Sequence, residues 1–361
     1  MEPPSPPLAP NPLPVEIVFH PSWWFDQAGI TFDEDFFYHP LRRVEVERTM
    51  ESVLHERFGR FGLGADRDRD LPVIGPVHNA AGFLISEMLG CSVEYRADAP
   101  PLVVPAQRDL LSIDLEGAFQ SSAWRRFRRL TEALRARHGY LVGDVNWGGV
   151  LNIALDLRGQ DLFLDFFDRP ADTQAGLSRI YQVLDHFTRE ISSLTGTTSI
   201  TVNRTVRHLR RPVFLHSECS HTMISVEQYE AFLWHFDAAW SRERRPFGIH
   251  YCGPDPHRYA PSFAKLPHLD FLDVGWGGDV KRLREALPAT FLNLRLDPVS
   301  LVRDSVETIR ENVLRLVTAS GDPYLTGLCS INIDHQVGDE KIAAIFEAAA
   351  DWRGRSQREP S

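Results

Sequence analysis

The feature that most constrains the fold of this chain is a repeated strand, loop and helix pattern from about residue 211 onward. Each repeat has a short apolar run, a polar or glycine-rich loop, and then a stretch with helical periodicity, such as residues 226–242 or 280–286. The apolar runs are residues 213–215, 247–249, 271–274, 291–296 and 325–333. Because parallel strands need crossover connections that helices supply, the repeat predicts a parallel sheet.

The first half of the chain fits the same pattern less cleanly. It predicts strands at residues 16–19 and 140–145, and helices at residues 42–58 and 123–138. The repeated pattern after residue 211 gives no sign of hairpins, and the chain as a whole favours one barrel over two domains. We therefore predict an α/β fold in which one (β/α)8 TIM-type barrel forms a single domain.

The two ends of the chain differ in composition from the predicted barrel, which spans residues 15–352. Residues 1–14 hold seven prolines and few side chains able to pack, so we expect a disordered tail. Residues 353–361 are polar and are expected to fray.

Charge and composition exclude several classes of protein. The formal net charge of -10 repels polyanions, which disfavours nucleic acid as a partner. No apolar stretch is long enough for a membrane helix, and the amino terminus lacks a secretory pattern. The four cysteines are too scattered for a disulfide framework, so we expect reduced thiols and a cytoplasmic protein.

In a barrel, the polar segments that follow the strands lie together at the carboxyl-terminal face, where barrel enzymes have their sites. Several such segments here are rich in reactive or hydrogen-bonding side chains. They are residues 20–24 (HPSWW), 143–149 (GDVNWGG), 216–221 (HSECSH), 250–253 (HYCG), 275–279 (GWGGD), 295–298 (RLDP) and 334–336 (DHQ). The sequence predicts the functional site at this face.

His250 and Cys252 form the strongest local feature among these segments. Residues two apart in extended backbone project to the same side, so the imidazole and the thiol can reach one ion. Zinc accepts both ligands, and a catalytic zinc site has three protein ligands and one open position. The spacing alone is weak support, because two such residues also occur by chance and a histidine at a strand end is often simply hydrogen-bonded.

A third zinc ligand has three candidates, which are His335, Cys329 and Cys219. Cys329 and His335 would be about 20 Å apart in extended backbone, so they cannot both reach one ion. His335 lies nearer the carboxyl-terminal end and is the first choice, whereas Cys329 is better placed as a buried core thiol. Cys219 and the neighbouring Glu218 lie in a loop at the same face, and either could join the coordination shell.

Other residues at the same face have both a structural and a functional interpretation. Asp279 could orient a substrate or cap the helix that begins at Val280. Arg295 could pair with a substrate carboxylate. Gly277 permits close approach of a ligand to the backbone, and Asn146 lies in another strand-end segment, so both are predicted to contact a cofactor.

The aromatic residues Trp23 and Trp24 could stack on a flat substrate or on a corrin or tetrapyrrole ring. Aromatic residues more often pack in a hydrophobic lid or core than bind planar ligands. Both interpretations stay open from the sequence, and we include the two tryptophans among the predicted cofactor contacts.

The order and spacing of these motifs resemble the uroporphyrinogen decarboxylase superfamily from about residue 40 to residue 352. No single motif carries the resemblance. The segments that carry it together are PVHNAAGFLISEMLGCSVEY, ALDLRGQDLFLDFFDRP, MISVEQYEAFLWHF, GIHYCG, FLDVGWGGDV, NLRLDP and CSINIDHQVGDEKIAAIF.

Within this superfamily, the HxCG element supplies two zinc ligands in coenzyme M methyltransferases and related corrinoid methyltransferases. The resemblance therefore implies that His250 and Cys252 bind zinc. It places the third ligand, usually a cysteine, near Asp334 and His335, so histidine would replace cysteine or the role would move to Cys329. The arginine-rich motif and the aspartate of true uroporphyrinogen decarboxylases are missing, which makes porphyrinogen decarboxylation the less favoured activity.

The resemblance implies a zinc-dependent methyltransferase that moves a methyl group between a corrinoid, carried by a partner protein, and a small-molecule thiol. Asp279 and Arg295 would orient the acceptor. Two alternatives are a metal-free decarboxylase and a non-catalytic barrel that binds a corrinoid or tetrapyrrole.

Overall fold

A computed structural model describes residues 8–75, 82–143, 145–197 and 209–356. Its strands, in chain order, are β1 (Val15–Phe19), β2 (Ser92–Glu94), β3 (Leu102–Val104), β4 (Phe214–Ser217), β5 (Phe247–Tyr251), β6 (Phe271–Val274), β7 (Phe291–Leu294) and β8 (Thr326–Ile333). Six of them form one parallel sheet in the order β1-β8-β7-β6-β5-β4, while β2 and β3 pair as a small antiparallel ribbon. The predicted parallel sheet is confirmed.

The helices flank this sheet and provide its crossover connections. In the first half they are α1 (Pro21–Ala28), α2 (Glu34–Tyr38), α3 (Pro40–Phe58), α4 (Phe83–Met88), α5 (Leu115–Phe119), α6 (Ser122–His138), α7 (Val150–Arg158), α8 (Asp161–Asp168) and α9 (Pro170–Thr195). In the second half they are α10 (Val226–Phe232), α11 (Trp234–Glu243), α12 (Ala260–Phe263), α13 (Val280–Ala286), α14 (Pro298–Arg303), α15 (Val306–Ser320) and α16 (Asp339–Ser356). In the described ranges, every helix is too short or too polar to cross a bilayer.

The sheet is curled into part of a barrel, because the last strand, β8, pairs with the first strand, β1. Between β1 and β4, the described residues add the separate β2–β3 ribbon and one isolated parallel bridge, between Val73 and Val142. The strand predicted at residues 140–145 is wrong for the described residues 140, 141, 143 and 145, and residue 144 lies outside the described residues. Pro72 and Gly143 flank the bridge, and neither residue type supports a continuous ladder. The alternation of strands and helices is confirmed, but the described residues do not close the sheet.

The helix predicted at residues 226–242 is two helices, α10 and α11, which meet at Leu233. Leu233 leaves the helical conformation, with φ −125° and ψ −33°. The start of α10 agrees with the sequence pattern, since Ser225 and Gln228 form a capping box.

Part of the predicted disordered tail packs against the barrel, so that prediction is wrong for residues 8–14. Ala9 and Leu13 are fully buried in the main hydrophobic core. The Leu8 carbonyl accepts a hydrogen bond from Arg210 N–H, and Leu13 N–H donates to the Pro323 carbonyl. The apolar residues between the prolines give this segment enough surface to bury.

The polar end is helical for part of its length, because α16 continues to Ser356. The predicted fraying is therefore wrong for residues 353–356. Residues 1–7 and 357–361 lie outside the described residues.

Replacing Leu13 with alanine tests whether this segment is part of the folded core. Loss of a fully buried leucine should lower the free energy of unfolding by about 2–4 kcal/mol. Leu41→Ala is the matched control, because Leu41 is 43% exposed and its truncation should cost less than about 1 kcal/mol. Chemical denaturation measures both. Equal stability of Leu13→Ala and the wild type would show that the segment does not contribute to the core.

Candidate metal centre

The site is built where the neighbouring strands β4 and β5 end. Ser217 pairs with His250 in the parallel register, so their side chains share one face of the sheet. Cys219 comes two residues after Ser217, and Cys252 comes two residues after His250. The chain thereby brings two thiols and an imidazole to the same edge of the sheet, on its concave side.

Cys219, His250 and Cys252 form a cluster whose ligand atoms all lie within 4.8 Å of one another. His250 is 2% exposed, and the two cysteines are half-buried free thiols. Two sulfur ligands and one nitrogen ligand fit zinc, and three protein ligands leave the fourth tetrahedral position open. The donor set therefore fits a zinc ion of the catalytic type.

The two thiols interact even without an ion. A hydrogen bond from the Cys219 thiol lowers the pKa of Cys252, although burial opposes this shift, and His250 lowers it further. The same hydrogen bond, together with burial, raises the pKa of Cys219. One thiolate is thus favoured at Cys252, and a thiolate is the form that binds a metal.

Asp273 on β6 holds the His250 imidazole in place. Its carboxylate lies 2.5 Å from His250 Nδ1 and accepts hydrogen bonds from Arg295 at 2.7 Å and from Asn293 at 3.1 Å. Burial and the Arg295 guanidinium lower the pKa of His250, but the Asp273 carboxylate and the hydrogen bond with Cys252 together outweigh them, so the net pKa is raised. A carboxylate on Nδ1 leaves Nε2 as the nitrogen available to an ion, which is the usual arrangement of a metal-bound histidine.

Glu218, which precedes the first cysteine ligand, has a structural role. Its fully buried carboxylate accepts hydrogen bonds from the backbone N–H groups of Leu151 and Asn152, at the amino terminus of α7. Burial raises the pKa of Glu218 to about 7. Its predicted catalytic or ligand role is therefore corrected, because the carboxylate caps a helix and fixes the loop that carries Cys219.

Glycines allow the loops after β5 and β6 to approach each other closely at the cluster. A Cβ atom at Gly275 would overlap the carbonyl oxygen of Gly253. Only glycine fits such a contact. Gly275 of the GWGGD motif is therefore explained by packing against the backbone of Cys252 and Gly253, and Gly253 of HYCG by packing against the Thr222 side chain.

The cluster faces a cavity of about 270 Å³ at the carboxyl ends of the strands. The residues around it are His20, Gly82, Pro100, Asn146, Gly148, Asn152, Ser217, Cys219, His250, Cys252, Trp276, Arg295, Ile331 and Asn332. A second cavity of about 270 Å³ shares Trp276 and Arg295 with it and reaches Gly277. The predicted position of the site, at the carboxyl-terminal face, agrees with this arrangement.

The leading candidate for the third ligand, His335, is not part of the cluster. Its side chain is 43% exposed, and its Nδ1 lies 3.2 Å from Asp334. Cys329 is fully buried. Leu294 pairs with Leu328, so the residues that follow them, Arg295 and Cys329, lie side by side, deeper in the sheet than the cluster. The structure instead brings Cys219 together with His250 and Cys252. The loops that follow two neighbouring parallel strands lie side by side. This placement was the signal in the sequence that favoured Cys219, in the loop after β4, as the neighbour of His250 and Cys252.

Some of the other predicted site residues line a cavity, and others stabilise the fold. Arg295 and Asn146 line the cavity, and Gly277 lines the adjoining one with φ +83°. Arg295 is engaged by Asp273 and is 2% exposed, so its first role is structural. Asp279 caps α13 by accepting a hydrogen bond from Arg282 N–H, and the predicted role in orienting a substrate is corrected to helix capping.

Trp23 and Trp24 do not line either cavity and belong to the hydrophobic core. They are 1% and 0% exposed and pack against Phe19, and Phe19 stacks on Phe58. Rings this enclosed present no face to a planar ligand. The predicted cofactor contact is therefore wrong for both residues, and the packing interpretation is correct.

His20 lines the cavity but was not among the predicted site residues. It follows β1 directly and precedes α1, with its Nδ1 accepting a hydrogen bond from Ser22 N–H. Its place in the first strand-end segment was the available signal, because that segment shares a face with the others.

Comparisons with known proteins support the fold. No protein-family model and no curated protein matches this chain. Among solved structures, it is similar to a methyltransferase from Methanosarcina mazei, with a TM-score of 0.64 and 14% sequence identity over 95% of each chain. At this identity the similarity concerns the fold.

Replacing Asp273 with asparagine tests the support of the metal-facing histidine. We expect zinc affinity to fall about 10–100-fold. We also expect a lower free energy of unfolding, since Arg295 would lose its carboxylate partner. Competition with a chromophoric chelator measures the zinc affinity.

Glu47→Gln is the matched control for this substitution. Glu47 is also buried, and it pairs with Arg43 away from the cluster. The control should lower stability without changing zinc affinity. Equal zinc affinity in Asp273→Asn and the wild type would contradict the supporting role.

Proposed function

We propose that this protein is a zinc-dependent methyltransferase that moves a methyl group between a methylated donor and a small thiol. The observation that carries the proposal is the cluster of Cys219, His250 and Cys252 beside a cavity, with ligand atoms within 4.8 Å. The sequence resemblance to corrinoid methyltransferases of the uroporphyrinogen decarboxylase superfamily supports it. The fold similarity to the Methanosarcina mazei methyltransferase is consistent with it.

In this proposal, the protein's own residues bind the ion and fix its surroundings. Cys219, His250 and Cys252 would hold zinc, Asp273 orients His250, and Glu218 anchors the loop of Cys219. When bound, zinc supplies positive charge that lowers the pKa of a thiol at the open position. In the transfer, a bond forms from sulfur to the methyl carbon while the bond from that carbon to the donor breaks. The bonding electron pair leaves with the donor.

The size of the cavity indicates which of the two reactants binds inside it. About 270 Å³ holds a small molecule and is below the range of cavities that enclose drug-sized ligands. A corrin ring is larger still, so a methylated corrinoid would reach the thiol from above the cavity. We therefore propose that a separate corrinoid protein delivers the donor at the carboxyl-terminal face.

The alternative functions are less well supported by the cavity. A carboxylated tetrapyrrole would need several counter-charges, whereas the described residues around the cavity contribute one arginine, already paired with Asp273. A non-catalytic corrinoid-binding barrel does not explain the thiol pair and the supported histidine. The closed eight-stranded barrel and descent from the uroporphyrinogen decarboxylase superfamily remain part of the proposal.

Metal content provides the first test. We expect about one zinc per chain, with two sulfur ligands and one imidazole ligand by X-ray absorption spectroscopy. Cys219→Ala and Cys252→Ala should each lose most of the zinc. Cys91→Ala is the matched control, because Cys91 is buried away from the cluster and should not affect zinc content. A Cys219 variant with full zinc content would contradict the proposed ligand set.

Methyl transfer is the second test. Zinc-loaded protein is mixed with methylcobalamin and a small thiol, and cleavage of the methyl–cobalt bond is followed by absorption. We expect a chelator to abolish the reaction and added zinc to restore it. A reaction rate that is unchanged after complete zinc removal would overturn the proposed function.

A further inference from the structure

His20 approaches the cavity from the side opposite to the metal cluster. The cluster follows β4 and β5, whereas His20 follows β1, and the sheet order separates β1 from β5 by three other strands. The sheet is curled and both groups line one cavity. A small molecule that binds the cluster with one end can therefore contact His20 with the other.

Local hydrogen bonds determine which nitrogen of His20 carries a proton. Ser22 N–H donates to His20 Nδ1 at 3.1 Å, and the Ser22 hydroxyl lies 2.8 Å from the same nitrogen, so the arrangement favours an Nδ1 that accepts and carries no proton. Burial lowers the pKa of His20, although Asp334 opposes the shift, and the ring is neutral at physiological pH. A neutral imidazole with an unprotonated Nδ1 carries its proton on Nε2, which makes Nε2–H the donor left for a ligand.

Asn332 adds a second polar group at the same end of the cavity. It is the extra residue of a bulge between β8 and β1, where Val18 pairs with Ile331 and Phe19 with Ile333. Its φ of +62° is left-handed, a conformation that asparagine tolerates better than most residues. Bulges of this kind re-aim a side chain, and Asn332 lines the cavity.

The charge balance of the cavity disfavours an anionic ligand. Two thiolates and a neutral imidazole would cancel the charge of a zinc ion, so a bound thiolate already adds one negative charge. Among the described residues around the cavity, Arg295 is the one cation, and it pairs with Asp273 at 2.7 Å. A carboxylate or sulfonate on the same small molecule would add a second charge without a counter-ion.

We propose that the acceptor is a small, neutral thiol with a hydrogen-bond acceptor, such as a hydroxyl oxygen, and that His20 Nε2–H donates to this atom. The inference rests on the proposed function, since it requires thiol binding at the metal. It makes His20 a specificity-determining residue of the site. Asn332 is a polar neighbour at the same end of the cavity.

The test uses cobalt-substituted protein, in which a bound thiolate gives a charge-transfer absorption band. Three probes are titrated: 2-mercaptoethanol, its near-isostere 1-propanethiol, and the anion 3-mercaptopropionate. We expect 2-mercaptoethanol to bind about tenfold more tightly than 1-propanethiol, as one well-placed hydrogen bond allows, and 3-mercaptopropionate to bind most weakly.

Two matched substitutions isolate the hydrogen bond from the helix cap. In His20→Asn, the shorter amide can still cap α1 but no longer reaches into the cavity, and asparagine is among the best capping residues. His39 caps α3 in the same way, through Nδ1 and before a proline, but it is exposed. We expect His20→Asn to remove the preference for 2-mercaptoethanol with cobalt content unchanged. His39→Asn should change neither the preference for 2-mercaptoethanol nor the cobalt content.

The outcomes distinguish this inference from the proposed function. If no thiol alters the cobalt spectrum, both fail. If thiols bind but the wild type and His20→Asn show the same preference, only the role of His20 fails. Tighter binding of 3-mercaptopropionate than of 2-mercaptoethanol overturns the neutral substrate class, and loss of cobalt in His20→Asn overturns the recognition role.

Discussion

The buried carboxylate of Asp273 is the group on which the rest of the site depends. It lies on the central strand of three and contacts His250 on β5, Asn293 on β7 and Arg295 after β7. A carboxylate with no exposure is tolerated only when such partners compensate for lost hydration. Because these partners come from the strands on either side of β6, in register with it, the orientation of the His250 imidazole and the alignment of the sheet are fixed together.

The sequence predicted those features that depend on residues close together in the chain. The apolar runs predicted all six strands of the parallel sheet, including β1 at residues 16–19, and the spacing of His250 and Cys252 placed both at one strand end. The third ligand depends on which strands are neighbours in space. Cys219 is close to Cys252 because β4 pairs with β5, whereas the resemblance directed attention to the last strand and to His335.

The remaining wrong predictions concern residues whose role depends on packing, which the local sequence pattern does not show. Trp23 and Trp24 look alike in sequence whether they enclose a ligand or fill a core, and only their contacts with Phe19 show the second. Glu218 and Asp279 have chemically reactive carboxylates, yet both are engaged with helix amino termini. Polar residues that follow a strand often cap the next helix, and a side chain used as a cap is not available for binding or catalysis.

The segment of residues 8–14 also affects how molecules reach the cluster. It joins Arg210, ahead of β4, to Pro323, ahead of β8, and so crosses the amino ends of the strands with Ala9 and Leu13 buried beneath it. The cavity lies at the opposite face, where the strands end. If the protein transfers a methyl group as proposed, a small thiol and a bulky donor that both approach from this face would bind in order, with the thiol first.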